Sequence, residues 1–333
     1  MRHHLKRGGL TAAFIGYRNH AARVIRAARD CGLAGRPIVF HPEDRGAEVL
    51  ALHGPGVEFT TDWRRVLAAD AAFVLAPNST HYSYLRRLLT GSTSRVYCEK
   101  PPAASVREAS ALLALPVALK RRVHFNFNFR NTRLARALAD RPARRGRLLS
   151  VDIVHTHGLA FKKGYASSWR GHRSEHRLGV LETVGIHYLD LIDGLVSPIK
   201  DLRSTLLNGS GRGNSADTAF CDFTLRDGAR GRLFCSYAAP FQRELRLTYT
   251  DAVFKAGPGG VTVHAPRDSF DAAGRFAPPP VRRERFDLSR DIEDSLGLSV
   301  RAFLSAARKP APFLPRDFDQ KASLDARLLA SIS

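Results

Sequence analysis

Apolar and polar residues follow two different patterns along this chain. In the first part, short apolar runs occupy residues 11–15, 37–40, 71–76 and 95–98. Between these runs apolar positions recur at helical spacing, most clearly at Ala21, Val24, Ile25 and Ala28. Further helices are expected over residues 62–69 and 81–90. This alternation predicts a parallel, doubly wound α/β sheet that binds ligands at the carboxyl ends of its strands.

The second pattern, from residue 123 onwards, is typical of β-strands. Residues 123–129 alternate strictly between apolar and polar, which predicts a last strand of the first domain and a crossing into the second. Beyond it, strand-like runs dominate over residues 148–155, 219–225, 231–237, 245–249 and 261–264. One helix over residues 178–195 interrupts them. The pattern predicts an α+β domain with a large, mostly antiparallel, open sheet.

Three parts are therefore expected along the 333 residues. The first is the doubly wound domain over residues 1–122, and the second is the domain of the mostly antiparallel sheet over residues 123–290. Helices over residues 291–333 are expected to pack back on the rest. A chain of this length can bury a core in each of two domains.

The charge of the chain invites a nucleic-acid interpretation, which the distribution of that charge opposes. The formal net charge is +21, but the arginines are spread along the whole chain instead of forming one tract. An arginine-rich composition is the favoured explanation, and we expect no nucleic-acid partner. A field that attracts an anionic substrate, such as a sugar nucleotide, stays open.

Composition also bears on location. No apolar run approaches the length of a membrane span, and the basic residues 1–9 precede a strand instead of an apolar signal core. The cysteines lie far apart and form no metal-type pair, which indicates free thiols in a reducing compartment. We expect a cytoplasmic protein without a membrane partner.

The first turn after a strand is a candidate phosphate-binding turn. It reads Gly16-Tyr17-Arg18-Asn19-His20-Ala21, in the place of a G-x-G-x-x-G/A fingerprint. Gly16 permits the tight turn, whereas Arg18 replaces the second glycine and could bond phosphates by charge. After the next strand, His41 is followed by acids and by Arg45, so the choice between NAD and NADP stays open.

Two further strand ends carry candidate chemistry. Pro77, Asn78 and His81 follow the run 71–76, on the edge where Gly16 and Lys100 are expected. Lys100 lies between Glu99 and Pro101, which favours a site residue over a solvated charge. Much later, His187 lies on the helix predicted over residues 178–195. A lysine and a histidine beside a nucleotide site suit proton-coupled hydride transfer at a carbinol.

Four histidines in the second part raise the question of a metal. They show no ligand spacing, and no carboxylate joins them in register; they are His155, His157, His172 and His176. We expect no metal, and a role in binding polar substrate groups is the alternative to no role at all.

The motifs taken together resemble those of the Gfo/Idh/MocA family, which includes glucose–fructose oxidoreductase and inositol dehydrogenase. The resemblance rests on Phe14-Ile15-Gly16, Ala76 to His81, Cys98-Glu99-Lys100-Pro101, Asn126 to Arg130, Ser168-Trp169-Arg170, and Gly185-Ile186-His187 with Asp190. It implies a Rossmann dinucleotide-binding domain over residues 1–122 and a substrate and oligomerisation domain over residues 123–290, whose open sheet forms a homodimer or homotetramer. It also implies NAD or NADP as cofactor and a sugar or sugar-nucleotide substrate.

Roles for single residues follow from the resemblance. Lys100 would polarise the reacting oxygen and His187 would pass the proton. Cofactor contacts would come from Gly16, Tyr17, Arg18, Asn19, His20, His41, Arg45, Pro77, Asn78, His81, Glu99, Lys100, Asn128, Trp169 and Arg170. Substrate contacts would come from Lys100, Arg130, His157, Tyr165, His187 and Asp190.

One position departs from the family pattern inside the catalytic set. Thr183 stands four residues before His187, where most members carry an aspartate, and Glu182 is its neighbour and possible substitute. Residues 179–187, which read Gly-Val-Leu-Glu-Thr-Val-Gly-Ile-His, resemble those of a family branch associated with bacterial surface-polysaccharide synthesis. The leading hypothesis is an NAD(P)-dependent oxidoreductase acting on CH–OH groups. The alternatives are an NAD-dependent glycosidase of the same fold and a sugar-binding or regulatory relative whose catalytic set has decayed.

Overall fold

A computed structural model describes residues 10–33, 35–140, 145–175, 177–266, 269–309 and 312–332. The basic residues 1–9, from which the absence of a signal segment was expected, and His176 lie outside these ranges. The chain forms two compact units. Unit 1 comprises Met1–Phe127 and Leu296–Ala326, and unit 2 comprises Asn128–Ser295 and Arg327–Ser333. No helix in the described ranges has the length and apolarity needed to cross a membrane.

Unit 1 contains a six-stranded sheet whose strands all pair in parallel. Its strands are β1 Ala12–Ile15, β2 Ile38–Phe40, β3 Glu58–Thr60, β4 Ala71–Val74, β5 Arg95–Glu99 and β6 Val123–Asn126. They lie in the order β3-β2-β1-β4-β5-β6. The chain reverses direction across the sheet between β3 and β4, so the doubly wound fold predicted from the sequence is confirmed.

Helices connect the strands of unit 1. They are α1 Asn19–Asp30, α2 Gly46–His53, α3 Trp63–Leu67, α4 His81–Gly91, α5 Val106–Leu113 and α6 Val117–Lys120. The apolar face of α1, with Val24 and Ile25, packs on the buried strand residues Phe14 and Phe73. The spacing of apolar residues predicts α1 and α4 well, whereas α2 has a single buried position and no such stripe.

The strand predicted over residues 123–129 ends earlier, at Asn126. Phe127 N already bonds to Phe125 O at 2.9 Å, and a short 3-10 turn follows at Asn128–Asn131. The boundary expected after residue 122 also differs from the observed division, which follows Phe127. The reason is that β6 pairs with β5 and so belongs to the parallel sheet.

Unit 2 contains an eight-stranded sheet. Its strands are β7 Leu148–Thr156, β8 Ile199–Leu207, β9 Thr218–Leu225, β10 Arg230–Ser236, β11 Gln242–Tyr249, β12 Val253–Gly257, β13 Gly260–His264 and β14 Val281–Arg285. They lie in the order β14-β13-β12-β11-β7-β10-β9-β8, and β7 pairs with β10 in parallel while the other pairs are antiparallel. The predicted, mostly antiparallel sheet is confirmed. The apolar pattern misses β14 because all five of its residues are exposed.

The helix predicted over residues 178–195 is split. A π-helical turn over Leu181–Gly185 precedes α8 Ile186–Leu195, and α7 Arg133–Ala139 lies earlier in the same unit. A Cβ atom on Gly185 would lie 2.7 Å from the Leu181 side chain and 3.3 Å from Cys235 Sγ. Glycine thus permits a close approach of this turn to β10, which a larger residue would prevent.

The C-terminal helices are α9 Leu288–Ala307 and α10 Pro315–Ala330. Within unit 1, Leu296, Val300 and Phe303 of α9 join the core that covers the parallel sheet. The Phe303 ring contacts the rings of Phe73 and Tyr97, with centroids 5.1 and 5.3 Å away. The tail therefore supplies part of the core of unit 1.

Replacing Phe303 by alanine should lower the free energy of unfolding of unit 1 by about 3–5 kcal/mol, because it leaves a cavity among aromatic rings. A lower urea midpoint would show this loss. Leu298→Ala on the same helix is the matched control, since Leu298 is 38% exposed. It should change stability by less than about 0.5 kcal/mol. Equal effects of the two substitutions would contradict the packing described here.

Candidate functional site

The turn after β1 has the shape that a dinucleotide phosphate requires. Gly16 has a φ of +108°, and a Cβ atom there would lie 2.8 Å from Leu75 O, so only glycine fits. Arg18 precedes the first residue of α1 and makes no side-chain cap to that helix. The first N–H groups of α1 and its dipole are thus available to an anion. The residues present fit the phosphates of a nicotinamide dinucleotide.

Next to this turn, Tyr17 connects β1 to the region after β2. Its hydroxyl donates to Glu48 Oε2 at 2.7 Å, and its carbonyl oxygen lies 2.7 Å from His53 Nε2. The ring meets His41 edge-on, with centroids 5.3 Å apart. Glu48 lies on α2 and was not among the predicted site residues. Its spacing from Gly16 follows no fingerprint, and only the folded chain shows that it belongs here.

Arg45, predicted as a cofactor contact, is held by two carboxylates. Nη2 donates to Glu43 Oε2 at 2.6 Å, and Nη1 donates to Glu48 Oε1 at 3.0 Å. Hydrogen bonds from Tyr17 and Arg45 lower the pKa of Glu48. Glu48 is therefore ionised at neutral pH.

His81 is held within the fold by two backbone carbonyls, and its contact with the cofactor stays a prediction. The side chain is fully buried, and its Nδ1 and Nε2 atoms lie 2.8 Å from Pro101 O and 2.9 Å from Ala76 O. Burial lowers the pKa of His81, and a neutral ring donates to one of these carbonyls at a time. His81 thereby ties the loop after β4 to the segment that follows Lys100. Pro77 and Asn78 lie in that loop, at the start of a 3-10 turn over Asn78–Thr80.

A buried carboxylate lies directly before Lys100, at the carboxyl end of β5. Glu99 Oε1 accepts from His20 Nε2 and from Asn126 Nδ2, each at 2.7 Å. Burial alone would raise the pKa of Glu99, but His20, Lys100 and Asn126 outweigh it and hold the value at about 2. Ser299 Oγ in turn donates to Asn126 Oδ1 at 2.7 Å. Neither Asn126 nor Ser299 was predicted to have a role at the site.

Unit 2 carries His187 on the first turn of α8. The imidazole is nearly buried and stacks on Phe129, with centroids 4.4 Å apart and planes 15° apart. Glu182 is buried, and its Oε2 accepts from Leu178 N at 3.1 Å. This contact links Glu182 to the residues just before the π-helical turn, and its substitution for the missing aspartate stays a prediction.

Thr183 contacts a tyrosine that was not predicted. Its Oγ1 lies 2.7 Å from the Tyr237 hydroxyl. The Tyr237 ring also lies near two predicted substrate contacts, with centroids 4.9 Å from His157 and 6.3 Å from Tyr165. The parallel pairing of β7 with β10 explains this grouping, because it brings the residues that follow both strands to one edge. We call these four residues the polar aromatic cluster.

The titratable members of the cluster and the adjacent His155 are uncharged at neutral pH. Burial, reinforced by Arg243, lowers the pKa of His155 to about 3, and burial also lowers the pKa of His157. Burial and the nearby Asp217 raise the pKa of Tyr165 to about 12. The cluster therefore offers neutral hydrogen-bonding groups and aromatic faces.

Asp190, a predicted substrate contact, forms a buried ion pair with Arg130. The carboxylate is fully buried, and both of its oxygens accept from Arg130, at 2.6 and 2.9 Å. A Cβ atom on Gly194 would lie 1.8 Å from Arg130 Nη2, so glycine leaves room for the guanidinium. The pair joins α8 to the turn at Asn128–Asn131.

The remaining predicted cofactor contacts lie in unit 2. Asn128 Nδ2 donates to Ser295 Oγ at 2.6 Å. Trp169 is exposed, and the guanidinium carbon of Arg170 lies 4.2 Å from the centre of its ring. Within the described ranges, no group of three or more His, Cys, Asp or Glu side chains could hold a metal ion.

Two parts of the chain match models of known protein families. Residues 10–127 match the model described as "Oxidoreductase family, NAD-binding Rossmann fold", and residues 132–255 match that of the GFO/IDH/MocA C-terminal domain. The chain belongs to the Gfo/Idh/MocA family. The resemblance noted from the motifs is confirmed, and so is a nicotinamide dinucleotide as the cofactor class of this family member.

A curated family member with sequence similarity is glucose-6-phosphate 3-dehydrogenase of Bacillus subtilis (strain 168). The two are 26% identical over 191 residues, which span 56% of this chain and 53% of that protein. The chain thus matches about half the length of this relative.

Solved structures share the fold over nearly the whole chain. Levoglucosan dehydrogenase, in complex with NADH and levoglucosan, has a TM-score of 0.76 at 18% identity, covering 97% of this chain and 96% of that one. GenD2 from gentamicin A biosynthesis, in complex with NAD, has a TM-score of 0.73 at 19% identity, covering 99% and 96%. UDP-N-acetylglucosamine 3-dehydrogenase GnnA from Acidithiobacillus ferrooxidans has a TM-score of 0.70 at 18% identity, covering 97% of each chain. At these identities the similarity concerns the fold alone.

The lowered pKa of Glu99 predicts that the stability of the fold depends on pH. The group is charged in the folded chain down to about pH 2, whereas in the unfolded chain it takes up a proton near pH 4.5. Glu99 should therefore stabilise the fold above about pH 4.5 and lose this contribution as the pH falls towards 2. The difference in unfolding free energy between the wild type and Glu99→Gln, followed by urea denaturation, should narrow over that interval. A constant difference from pH 7 to pH 2 would contradict the assignment.

Proposed function

We propose that this chain is an NAD(P)-dependent dehydrogenase or reductase acting on a CH–OH group or carbonyl of a sugar or sugar nucleotide. The observation that carries the proposal lies in unit 1. Lys100 follows β5 and Gly16 follows β1, and only β4 separates these two parallel strands. An amine and a phosphate-binding turn thus lie at the same edge of one sheet, where dinucleotides bind in this fold.

In the proposed reaction, Lys100 donates a hydrogen bond to the reacting oxygen and stabilises the charge that develops on it. Glu99 is anchored by His20 and Asn126, which restricts the backbone from which Lys100 projects. His187 takes up or returns the hydroxyl proton, and its stacking on Phe129 limits the ring to few orientations. The dinucleotide, when bound, supplies or accepts the hydride at its nicotinamide. The pairing of Lys100 with His187 rests on the family motifs and stays a prediction.

Two observations support a carbohydrate as the substrate. The relatives named above include dehydrogenases of glucose 6-phosphate, levoglucosan and UDP-N-acetylglucosamine. The polar aromatic cluster of Tyr165, His157, Tyr237 and Thr183 combines aromatic faces with neutral donors and acceptors. Such groups suit the apolar faces and the hydroxyl groups of a sugar ring.

Lys100→Met should abolish turnover, because methionine keeps the length of the side chain and removes the charged donor. NADH formation with a panel of sugars, sugar phosphates and sugar nucleotides measures activity, and calorimetry measures cofactor binding. The variant should bind cofactor within a few-fold of the wild type. Lys309→Met, at an exposed position of unit 1, is the control and should keep full activity.

The same assay separates the other functions. Release of a sugar without net NADH would favour a glycosidase that oxidises its substrate transiently. Dinucleotide and sugar binding without turnover would indicate a binding protein. Unchanged turnover in Lys100→Met would refute the catalytic role of this lysine.

We also propose that the open face of the eight-stranded sheet joins copies of the chain into a homodimer or homotetramer. Phe220 on β9 and Phe234 on β10 stack there, with centroids 4.7 Å apart, and Phe220 is 44% exposed. Arg232 pairs with Asp152 across the same face at 2.6 Å. An apolar centre beside paired charges is the composition of many subunit interfaces.

Phe220→Glu should shift the chain towards smaller species in sedimentation velocity, because it places a carboxylate at the apolar centre of the proposed interface. Val117→Glu, at an exposed position of α6, should leave the distribution unchanged. A wild type that sediments as a monomer at all concentrations would contradict the proposal.

A cytoplasmic location is proposed as well. The four cysteines are free thiols, and three of them are buried. Free thiols are typical of proteins in a reducing compartment.

A further inference from the structure

The charged residues after β2 form a connected group next to the phosphate-binding turn. Phe40 of β2 pairs with Ile15 of β1, so the residues following the two strands are neighbours. The edge-on contact between His41 and Tyr17 reflects this proximity. In a doubly wound dinucleotide fold, the adenosine ribose lies beside this second strand end.

The acid that meets a ribose is usually found at the end of β2, and here that position is His41. The half-exposed carboxylate of Glu48, on α2, is brought to the same place by the Tyr17 hydroxyl at 2.7 Å and by Arg45 Nη1 at 3.0 Å. A carboxylate can accept about four hydrogen bonds, and these contacts use two. The remaining lone pairs can accept from the ribose hydroxyls.

The guanidinium of Arg45 is not arranged to receive a phosphate. Both of its terminal nitrogens face carboxylates, those of Glu43 and Glu48. Asp44 adds a third carboxylate, whose Oδ1 accepts from Gly46 N. Arg18, which also hydrogen bonds to Tyr17, brings the second positive charge. Three carboxylates thus outnumber two guanidinium groups at this strand end.

From this geometry we infer that the ribose subsite selects NAD(H) over NADP(H), with Glu48 as the ribose acceptor and Tyr17 as its positioning residue. The inference rests on the proposed function and names the cofactor of that same site. A ribose 2′-hydroxyl can donate to Glu48, whereas a 2′-phosphate carries charge of the same sign and has to displace a carboxylate from Arg45. The carboxylates of Glu43 and Glu48 therefore act against NADP(H).

Calorimetry with the full chain tests the preference directly. The Kd for NADH should be at least about tenfold lower than that for NADPH. In Glu43→Gln/Glu48→Gln the guanidinium of Arg45 is released, so NADPH should bind about tenfold more tightly than to the wild type. NADH should bind a few-fold more weakly, since the ribose loses its charged acceptor. Adding Arg45→Met to this pair should remove the gain for NADPH.

Glu58→Gln is the matched control. Glu58 pairs with Arg65 at 2.6 Å in the same unit, on β3, but at the opposite end of the sheet. This substitution should leave both affinities unchanged. A wild type that binds NADPH as tightly as NADH, or a double variant with an unaltered ratio of affinities, would overturn the inference. A chain that binds neither nucleotide would instead overturn the proposed function.

Discussion

A carboxylate buried at the carboxyl end of β5 sets the main constraint on unit 1. An ionised group inside a protein is costly unless charged or hydrogen-bonding partners surround it. Glu99 obtains those partners from α1, through His20, and from β6, through Asn126. Ser299 of α9 then holds Asn126, so the tail of the chain supports the same group. The phosphate-binding turn, the lysine and the C-terminal helix are thereby tied to one atom, Glu99 Oε1.

In unit 2 the corresponding constraint is close packing against β10. Gly185 lets the π-helical turn approach Cys235 and Leu233, and α8 then begins at Ile186 with His187 on its first turn. The Arg130–Asp190 pair fixes α8 to the turn at Asn128–Asn131. The motif Gly-x-His-x-x-Asp thus places a glycine at a close contact with β10, a histidine on the first turn of α8 and an aspartate in a buried ion pair.

Local pattern was sufficient for much of this architecture. Strands β1 and β4 are buried throughout and β5 is buried after Arg95, which is what a parallel sheet covered on both faces demands. The tight turn at Gly16 was also predicted from the sequence, and the positive φ of this residue excludes other residue types. Elements without an apolar rhythm, such as α2 and β14, were not predicted, because their residues bury little. The split of the helix before His187 was missed for a related reason, since it depends on the distance to another strand.

The amino-acid sequence by itself determined the alternation of strands and helices in the first part, the mostly antiparallel sheet of the second and the tight turn at Gly16. These follow from periodicity and from the backbone demands of single residues, whereas Lys100 and His187 were indicated by the family motifs. Tertiary structure alone decided which polar side chains are held by hydrogen bonds within the fold. His81, Glu182 and Asp190 are held by buried hydrogen bonds. Glu48 joins Tyr17 in unit 1, and Tyr237 joins Thr183 in unit 2, in each case from a distant stretch of the chain. The physical reason is that a hydrogen bond depends on distances of about 3 Å between atoms, and these are set by packing instead of by spacing along the chain.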